Sequence, residues 1–592
     1  MRSTPRPRPG CRADRFCCSG DPSARTPSYP TTITGAEIVH SHRIGQRSAA
    51  RGVPGGRGPT LVPGGGRSGC RYRGRCRSID VPSARHRFSE RSERMTDLPT
   101  FPLPFLDAYK VAVAPPRTLR ELQMMQLSAQ IRSKPQWFVK MNDADIIARW
   151  TAEAAEQGLT EAQIRYVLAE LAYYAELRDE RTGIEVSAVD GVWQSDALID
   201  DELRSRLREA VRVLEEVPDS ELDWHPGSNG QVLDLVHPSL FCLVRGVSGV
   251  DDTVWPAPGT EGARYAYSEK FQWLPTDLDV GADGEVVFRS YVDNVHPVTH
   301  RDLDAVLPDL FARMRPLFEK VLTDLRHPRP LRIEVDPYTW YDDDPDKPAE
   351  PAGDDEDARN AWYDALSDWR DTRHPVLPDA PDFLAPPLPN DSARVDLRGR
   401  RLQVIVKLAN IHLTPDNPEY AGGTWHVEAM MNERIVSTAI YYWDSENITD
   451  SRLGFRAALE EPEYEQSDYT GVEEVYGLAD EEPLAQVLGS AATPAGRCLA
   501  FPNILQHRVA PFRLADPSRP GHRKILAFFL VDPGTRIPST SDVPPQQPWA
   551  PTTTMTLAEA KDYRDQLMHE RKFFADTHNE EIYEREFSLC EH

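Results

Sequence analysis

The chain has 592 residues, enough for two to four domains, and its 40% hydrophobic and 27% charged content is that of a globular protein. The formal net charge of −25 is uneven: residues 1–94 hold 19 Arg, no Lys and 6 acidic residues, which leaves 49 basic and 87 acidic residues for 95–592. That acidity repels phosphate backbones and anionic lipid and so excludes nucleic acid as an expected partner, and no run approaches the ~18 apolar residues of a membrane span.

Residues 1–94 are rich in Arg, Pro, Gly and Ser and lack a periodic apolar pattern, so they are expected to be disordered. Arg without Lys fits a translated GC-rich leader with Met95 as the start, or alternatively an organellar transit peptide. Five of the eight cysteines (Cys11, Cys17, Cys18, Cys70, Cys76) fall here. Cys242, Cys498 and Cys590 are too scattered for a disulfide framework or a zinc knot, and the expected compartment is the cytoplasm.

From Met95 the pattern is helical. Thr118-Leu119-Arg120-Glu121 and Thr160-Glu161-Ala162-Gln163 are capping boxes, each followed by an amphipathic run. A third helix is expected from Asp196 to Glu216. Between Gln231 and Val295 short strands take over. Phe271 to Leu274, the turn Gly281 to Gly284 and Glu285 to Phe288 form an expected hairpin. A helix follows over Asp302 to Leu325. Residues 331–400 read as an acidic and Pro-rich insertion, either a solvated loop or a lid. From Leu402 to Val531 short strands separated by Gly and Pro turns favour a sandwich or jelly roll. Thr556-Leu557-Ala558-Glu559 then opens a charged helix expected to pack on the outside.

The chemistry concentrates between Gly423 and Asp532. His426 and Glu428 are two apart, so on an extended segment both project to one face. His507, just after the apolar Phe501-Pro502, supplies a third donor. Two His and one carboxylate leave coordination positions open, the facial triad of non-haem Fe(II) oxygenases. Arg523 enters the last strong strand, where a guanidinium can grip a carboxylate bidentately, as a dicarboxylate such as 2-oxoglutarate would require. Competing patterns are weaker. His300-Arg301-Asp302 starts a helix, where i and i+2 do not share a face. His569-Glu570 lacks a second His four residues on. His412 is the main rival ligand, and His522 points away from Arg523.

The runs Leu408 to Pro415, Gly422 to Glu428, Tyr441 to Thr449, Phe501-Pro502-Asn503 with His507, and Lys524 to Pro533 resemble the family of domains of unknown function 4246 (DUF4246). That family resembles a branch of the Fe(II)/2-oxoglutarate-dependent oxygenases. The resemblance runs from about Leu98 to the C-terminus. It implies an α+β fold: a double-stranded β-helix (jelly-roll) core at 401–545, a mainly helical region with a β-hairpin at 95–330, and a C-terminal helix at 546–592. It implies His426, Glu428 and His507 as iron ligands and Arg523 as the 2-oxoglutarate anchor. Two departures stand out: Glu428 where most of the superfamily has Asp, and Ile525 where the commonest motif has Ser. Tyr441, Lys407 and Asn432, with Tyr420 and Trp425, are candidate pocket residues. The expected function is Fe(II)-, 2-oxoglutarate- and O2-dependent oxidation of a small-molecule or peptide substrate, with ascorbate as a possible support. Alternatives are a Zn or Mn cupin-type enzyme, or a non-enzymatic scaffold whose acidic insertion recruits a basic partner.

Overall fold

Strand alternation builds the centre of the molecule. The structure, a computed structural model, describes residues 100–105, 112–250, 266–388, 390, 393–466 and 468–588. The expectations for residues 1–94 and for Cys590 lie outside them. All the described residues belong to one unit, Val81–His592. The fold is mixed α+β. Its large sheet comprises β1 (Glu185–Val186), β2 (Trp193–Ser195), β3 (Val232–Val236), β4 (Thr276–Val280), β5 (Val286–Phe288), β6 (Arg401–Leu413), β7 (Ile435–Glu446), β10 (Cys498–Pro502) and β12 (Gly521–Val531). A small sheet holds β8 (Arg452–Ala458), β9 (Ala485–Ala492) and β11 (Gln506–Val509).

The large sheet runs in the order β1-β2-β10-β7-β12-β6-β4-β5, with β3 also paired to β6, and the small one runs β9-β8-β11. Every pairing is antiparallel. On β12, Leu526, Phe528 and Leu530 face outward onto a helix core. Ala527 and Phe529 face inward, toward Leu453 and Phe455 of the small sheet. This is the period-two alternation of a sheet buried on both faces.

The helices begin where side chains satisfy their first N–H groups. In α1 (Leu119–Arg132) the Thr118 hydroxyl accepts from Glu121 N at 3.1 Å. The expected box does not close there, because the buried Glu121 carboxylate accepts from Arg332 N at 3.0 Å instead. Asp143 caps α2 (Ala144–Glu156), and Thr160 with Gln163 forms a complete box at α3 (Glu161–Leu177). Helix α4 (Asp201–Glu215) starts later than the sequence pattern, since Asp200 rather than Asp196 holds Leu203 N, at 2.8 Å. Helix α5 (Arg301–Arg326) buries Leu303, Val306, Leu310, Met314, Leu317 and Val321 against the outer face of the large sheet, as its periodicity requires.

Two expectations change and a third is sharpened. Phe271–Gln272 pairs with Leu243–Val244, and the hairpin partner of β5 is β4, because Pro275 separates Phe271 from the turn. The insertion is rooted rather than free. Trp340 and Tyr341 donate to Asp468 at 3.0 and 2.7 Å and pack with Val472 and Val475 of α7 (Tyr469–Tyr476), while acidic residues of α6 (Glu356–Arg370) stay exposed. The C-terminal helix α8 (Leu557–His578) packs on the outside with most of its residues exposed or half-buried, but a narrow stripe anchors it. Ala560 and Leu567 are buried in the inter-sheet core, and Arg571 stacks 3.8 Å over the Trp273 ring. Among the described residues no helix is long and apolar enough to cross a membrane.

Candidate metal centre

The segment Thr424 to Glu428 joins the edge of the small sheet. His426 and His507 exchange backbone hydrogen bonds, His426 N to His507 O at 3.2 Å and His507 N to His426 O at 3.0 Å. Gly422 makes this approach possible: its φ is +95°, and a Cβ there would stand 2.9 Å from the Val509 carbonyl oxygen. Asn503, fully buried, accepts from Glu428 N at 2.8 Å and donates to Glu428 O at 3.1 Å. Ala429 follows at φ 61°, a left-handed turn that ends the extended segment.

These constraints bring three donors together. One ligand atom from each of His426, Glu428 and His507 lies within 4.8 Å of the others. His507 Nε2 stands 3.2 Å from Glu428 Oε1, and the two imidazole rings are 4.4 Å apart. His426 Nδ1–H donates to Thr424 O at 2.8 Å, which fixes the tautomer and leaves the Nε2 lone pair available. Phe501 packs 4.7 Å from the His507 ring and covers one side of it.

The electrostatics suit cation binding. Burial, reinforced by the neighbouring His507, lowers His426 to about 4, so it is neutral at pH 7. Burial alone would raise the Glu428 carboxyl. The His507 hydrogen bond and the nearby His507, His426 and Lys407 charges outweigh that and bring it down to about 2. A neutral His426 imidazole and an ionised Glu428 carboxylate are states that suit a divalent metal. His507 Nδ1 is buried with no hydrogen-bond partner. A mixed imidazole and carboxylate set of this kind fits a first-row transition metal.

Arg523 sits on the same inner face as Ala527, opposite Ile411 of β6, and its guanidinium lies 4.7 Å over the Tyr442 ring. It is 2% exposed, its Nε has no hydrogen-bond partner, and among the described residues no carboxylate pairs with it. Burial lowers its pKa, and only the Tyr442 and Tyr420 hydroxyls work against that.

The other candidates divide by face. Lys407 pairs in register with Ala527 and points inward, and its charge reaches both His426 and Glu428. Tyr441 does not line the site: it pairs with Leu526, faces the outer core and lies beside Arg204 and Arg208. Asn432 does not either, because its buried carboxamide accepts from Ser268 N and donates to Ser268 O, both at 2.8 Å. Tyr420 lies near Arg523 and packs on Phe512 at 5.1 Å. Trp425 is held outside between Arg508 at 4.4 Å and Arg456 at 5.2 Å. His412 faces the opposite side of β6, near His522, Lys524 and Glu215.

Sequence reasoning missed a second grouping, His225, Asp234 and His237, whose potential ligand atoms also lie within 4.8 Å of one another. Its one readable signal is Asp234 and His237 three apart at the end of an apolar strand. It also missed the clasp from the C-terminal segment. Tyr583 donates to Ile504 O at 2.7 Å, Gln506 bonds Asn579, and Arg456 joins Gln506 to Glu584 at 2.5 and 2.8 Å. A cavity of about 1380 Å³ lies elsewhere, beside Lys320, Asp324 and the Leu384 to Leu388 segment. None of the three donors lines it.

Comparison with known proteins gives a family. The family described as "Protein of unknown function (DUF4246)" matches residues 161–552, and "Domain of unknown function DUF4246, N-terminal" matches residues 79–153. No curated protein matches the sequence. Among solved structures, IDO from Bacillus thuringiensis aligns at 11% identity over 23% of this chain and 48% of that one, with a TM-score of 0.16. The Fe(II)/(alpha)ketoglutarate-dependent dioxygenase TqaL aligns at 10% identity over 56% and 90%, with a TM-score of 0.19. The dioxygenase for auxin oxidation in rice aligns at 13% identity over 62% and 79%, with a TM-score of 0.20. The chain thus spans about half of the first of these structures, and scores this low establish no shared fold.

Proposed function

We propose, for a chain that belongs to the DUF4246 family of proteins of unknown function, that it is an Fe(II)/2-oxoglutarate-dependent oxygenase with His426, Glu428 and His507 as metal ligands. The observation that carries this reading is a pair of unmet needs, one on the small sheet and one on the inner face of the large sheet. Three metal-type donors converge at the first, and Arg523 is buried on the inner face of β12 with no carboxylate partner among the described residues. A buried, unpaired guanidinium costs several kcal/mol, and the far carboxylate of a bound dicarboxylate would relieve it.

The strand order supports a double-stranded β-helix. In chain order β6, β7, β10 and β12 lie in the large sheet and the His426 segment, β8, β9 and β11 in the small one, the chain crossing between sheets at every step but β8 to β9, in the manner of a jelly roll. When bound, Fe(II) with 2-oxoglutarate and O2 would supply the oxidising chemistry. The protein's own residues do the rest. Asn503 and Thr424 orient Glu428 and His426, Phe501 shields His507, and Arg523 would hold the cosubstrate's far carboxylate. Ile525, partly buried beside Arg523, offers no hydroxyl to that carboxylate, so Arg523 would hold it with the nearby Tyr420 and Tyr442.

The test is succinate release from 2-oxoglutarate on adding Fe(II) and ascorbate, with His426→Ala as control. Turnover by wild type but not by the variant is expected. Zinc or manganese bound at the triad with no affinity for 2-oxoglutarate would instead favour a cupin-type enzyme of another class.

A further inference from the structure

The inner face carries a second set of unmet charges. Asp234 of β3 pairs with Ala409 of β6, and so faces the same side as Lys407, two residues earlier on that strand. The Asp234 side chain is buried. Its Oδ2 accepts from His225 Nδ1–H at 2.8 Å, and its Oδ1 has no hydrogen-bond partner. That bond leaves the His225 Nε2 lone pair outward, on a side chain that is 27% exposed. The His225 loop is held in turn. His225 N donates to Val232 O at 2.8 Å, and Asp223 is pinned by Arg564 of α8 at 2.6 Å.

Lys407 completes the arrangement. Among the described residues its ammonium makes no hydrogen bond and no ion pair, with Asp234 or with any other carboxylate. Its charge acts on Asp234 and His237 on one side and on His426 and Glu428 on the other. It therefore lies within electrostatic reach of both clusters. Aromatic rings pack beside each cluster: Phe501 on His507, and Trp273, stacked on Phe529, edge-on to the His237 ring. A buried carboxylate oxygen and a half-buried ammonium, neighbours on one face yet not paired to each other, call for a ligand that carries both opposite charges.

A metal ion fits this second cluster poorly. His237 Nδ1 accepts from Ser239 N at 3.2 Å, which places the ring proton on Nε2. Neither nitrogen then has a free lone pair, and only His225 and Asp234 remain as donors.

We infer that Asp234 and Lys407 form the substrate-recognition end of this site and bind an amino-acid zwitterion. Its ammonium lies on Asp234 Oδ1, and its carboxylate lies on Lys407. The word substrate rests on the oxygenase reading; the binding site does not. The experiment is calorimetric titration of the full chain with each of the twenty standard amino acids, and with the deaminated acid and methyl ester of any that binds. At least one amino acid is expected to bind, tenfold or more tighter than either counterpart. Asp234→Asn and Lys407→Met are each expected to weaken it by tenfold or more with an unchanged melting temperature. Should Asp234→Asn fail to fold, Lys407→Met and the deaminated counterpart still test the two ends separately. Wild type that binds Mn(II) and 2-oxoglutarate but none of the twenty overturns the inference and leaves the oxygenase reading standing. Amino-acid binding without Mn(II) or 2-oxoglutarate binding does the reverse. Zinc retained by a His426→Ala/His507→Ala variant and lost on adding Asp234→Asn would make the cluster a metal site and also overturn the inference.

Discussion

The two faces of the large sheet use the same strands for opposite ends. Outward, Val406, Leu408, Trp443, Leu526 and Phe528 belong to the core shared with α5, and each is at most 5% exposed. Inward, the same strands carry Lys407, Tyr442 and Arg523, and β3 adds Asp234; Asp234 Oδ1, the Tyr442 hydroxyl and Arg523 Nε find no hydrogen-bond partner among the described residues. One strand serves both because its side chains alternate. The lesson is that parity along β6 and β12, rather than distance in sequence, decides whether a residue supports the fold or the chemistry. Substitutions on the two faces should therefore fail in different ways.

The largest expected effect is inward. His507→Ala should abolish stoichiometric divalent-metal binding, read by elemental analysis after dialysis, while the melting temperature of the metal-free protein stays near that of wild type. Next comes the outward face. Phe528→Ala should cost about 3–5 kcal/mol in denaturant unfolding through lost burial and the cavity left behind, and the soluble fraction should still bind metal. The third prediction concerns the clasp that holds the His507 segment. Burial lowers His578 to about 4, although its hydrogen bond to Pro104 O works the other way. The unfolded chain, with histidine near 6.5, binds the proton first as pH falls. Stability should therefore decline from about pH 6.5 to 4, by roughly 3 kcal/mol at 1.36 kcal/mol per unit. His578→Leu should flatten that decline in urea titrations. The smallest effect is the sharpest discriminator. Arg523→Met should weaken 2-oxoglutarate binding tenfold to hundredfold, about 1.4–2.7 kcal/mol, in calorimetry with Mn(II). Unlike Phe528→Ala, it should not lower stability, because it removes an unpaired buried charge. A stability loss as large as that of Phe528→Ala would erase the distinction between the faces.

The parts legible in the sequence were those with a strict local rule. His426 and Glu428, two apart on an extended segment, had to share a face, and Thr160 with Gln163 had to start a helix. Tyr441 was misplaced for a physical reason. Ile435 to Trp443 is an almost unbroken apolar run buried on both sides, so its alternation does not say which tyrosine turns inward. The inner one is Tyr442, beneath Arg523. Asn432 looked free because its partner, Ser268, lies on a distant segment. The His225, Asp234 and His237 grouping stayed hidden because the turn between Trp224 and Leu233 folds His225 back onto its own strand. The C-terminal helix is charged and mostly exposed or half-buried, as its composition suggests, but its anchoring stripe went unread. Yet Ala560, Arg564 and Leu567 recur at helical spacing, and Arg564 is buried by pairing with Asp223.

The central claim is that the His426, Glu428 and His507 triad holds the metal and Arg523 the far carboxylate of 2-oxoglutarate. The most direct measurement is anomalous diffraction from crystals grown with Mn(II) and 2-oxoglutarate. The account predicts a manganese peak bounded by His426, Glu428 and His507, with the distal carboxylate of the cosubstrate against Arg523. A peak at His225 and Asp234 instead, or a cosubstrate bound away from Arg523, would contradict it.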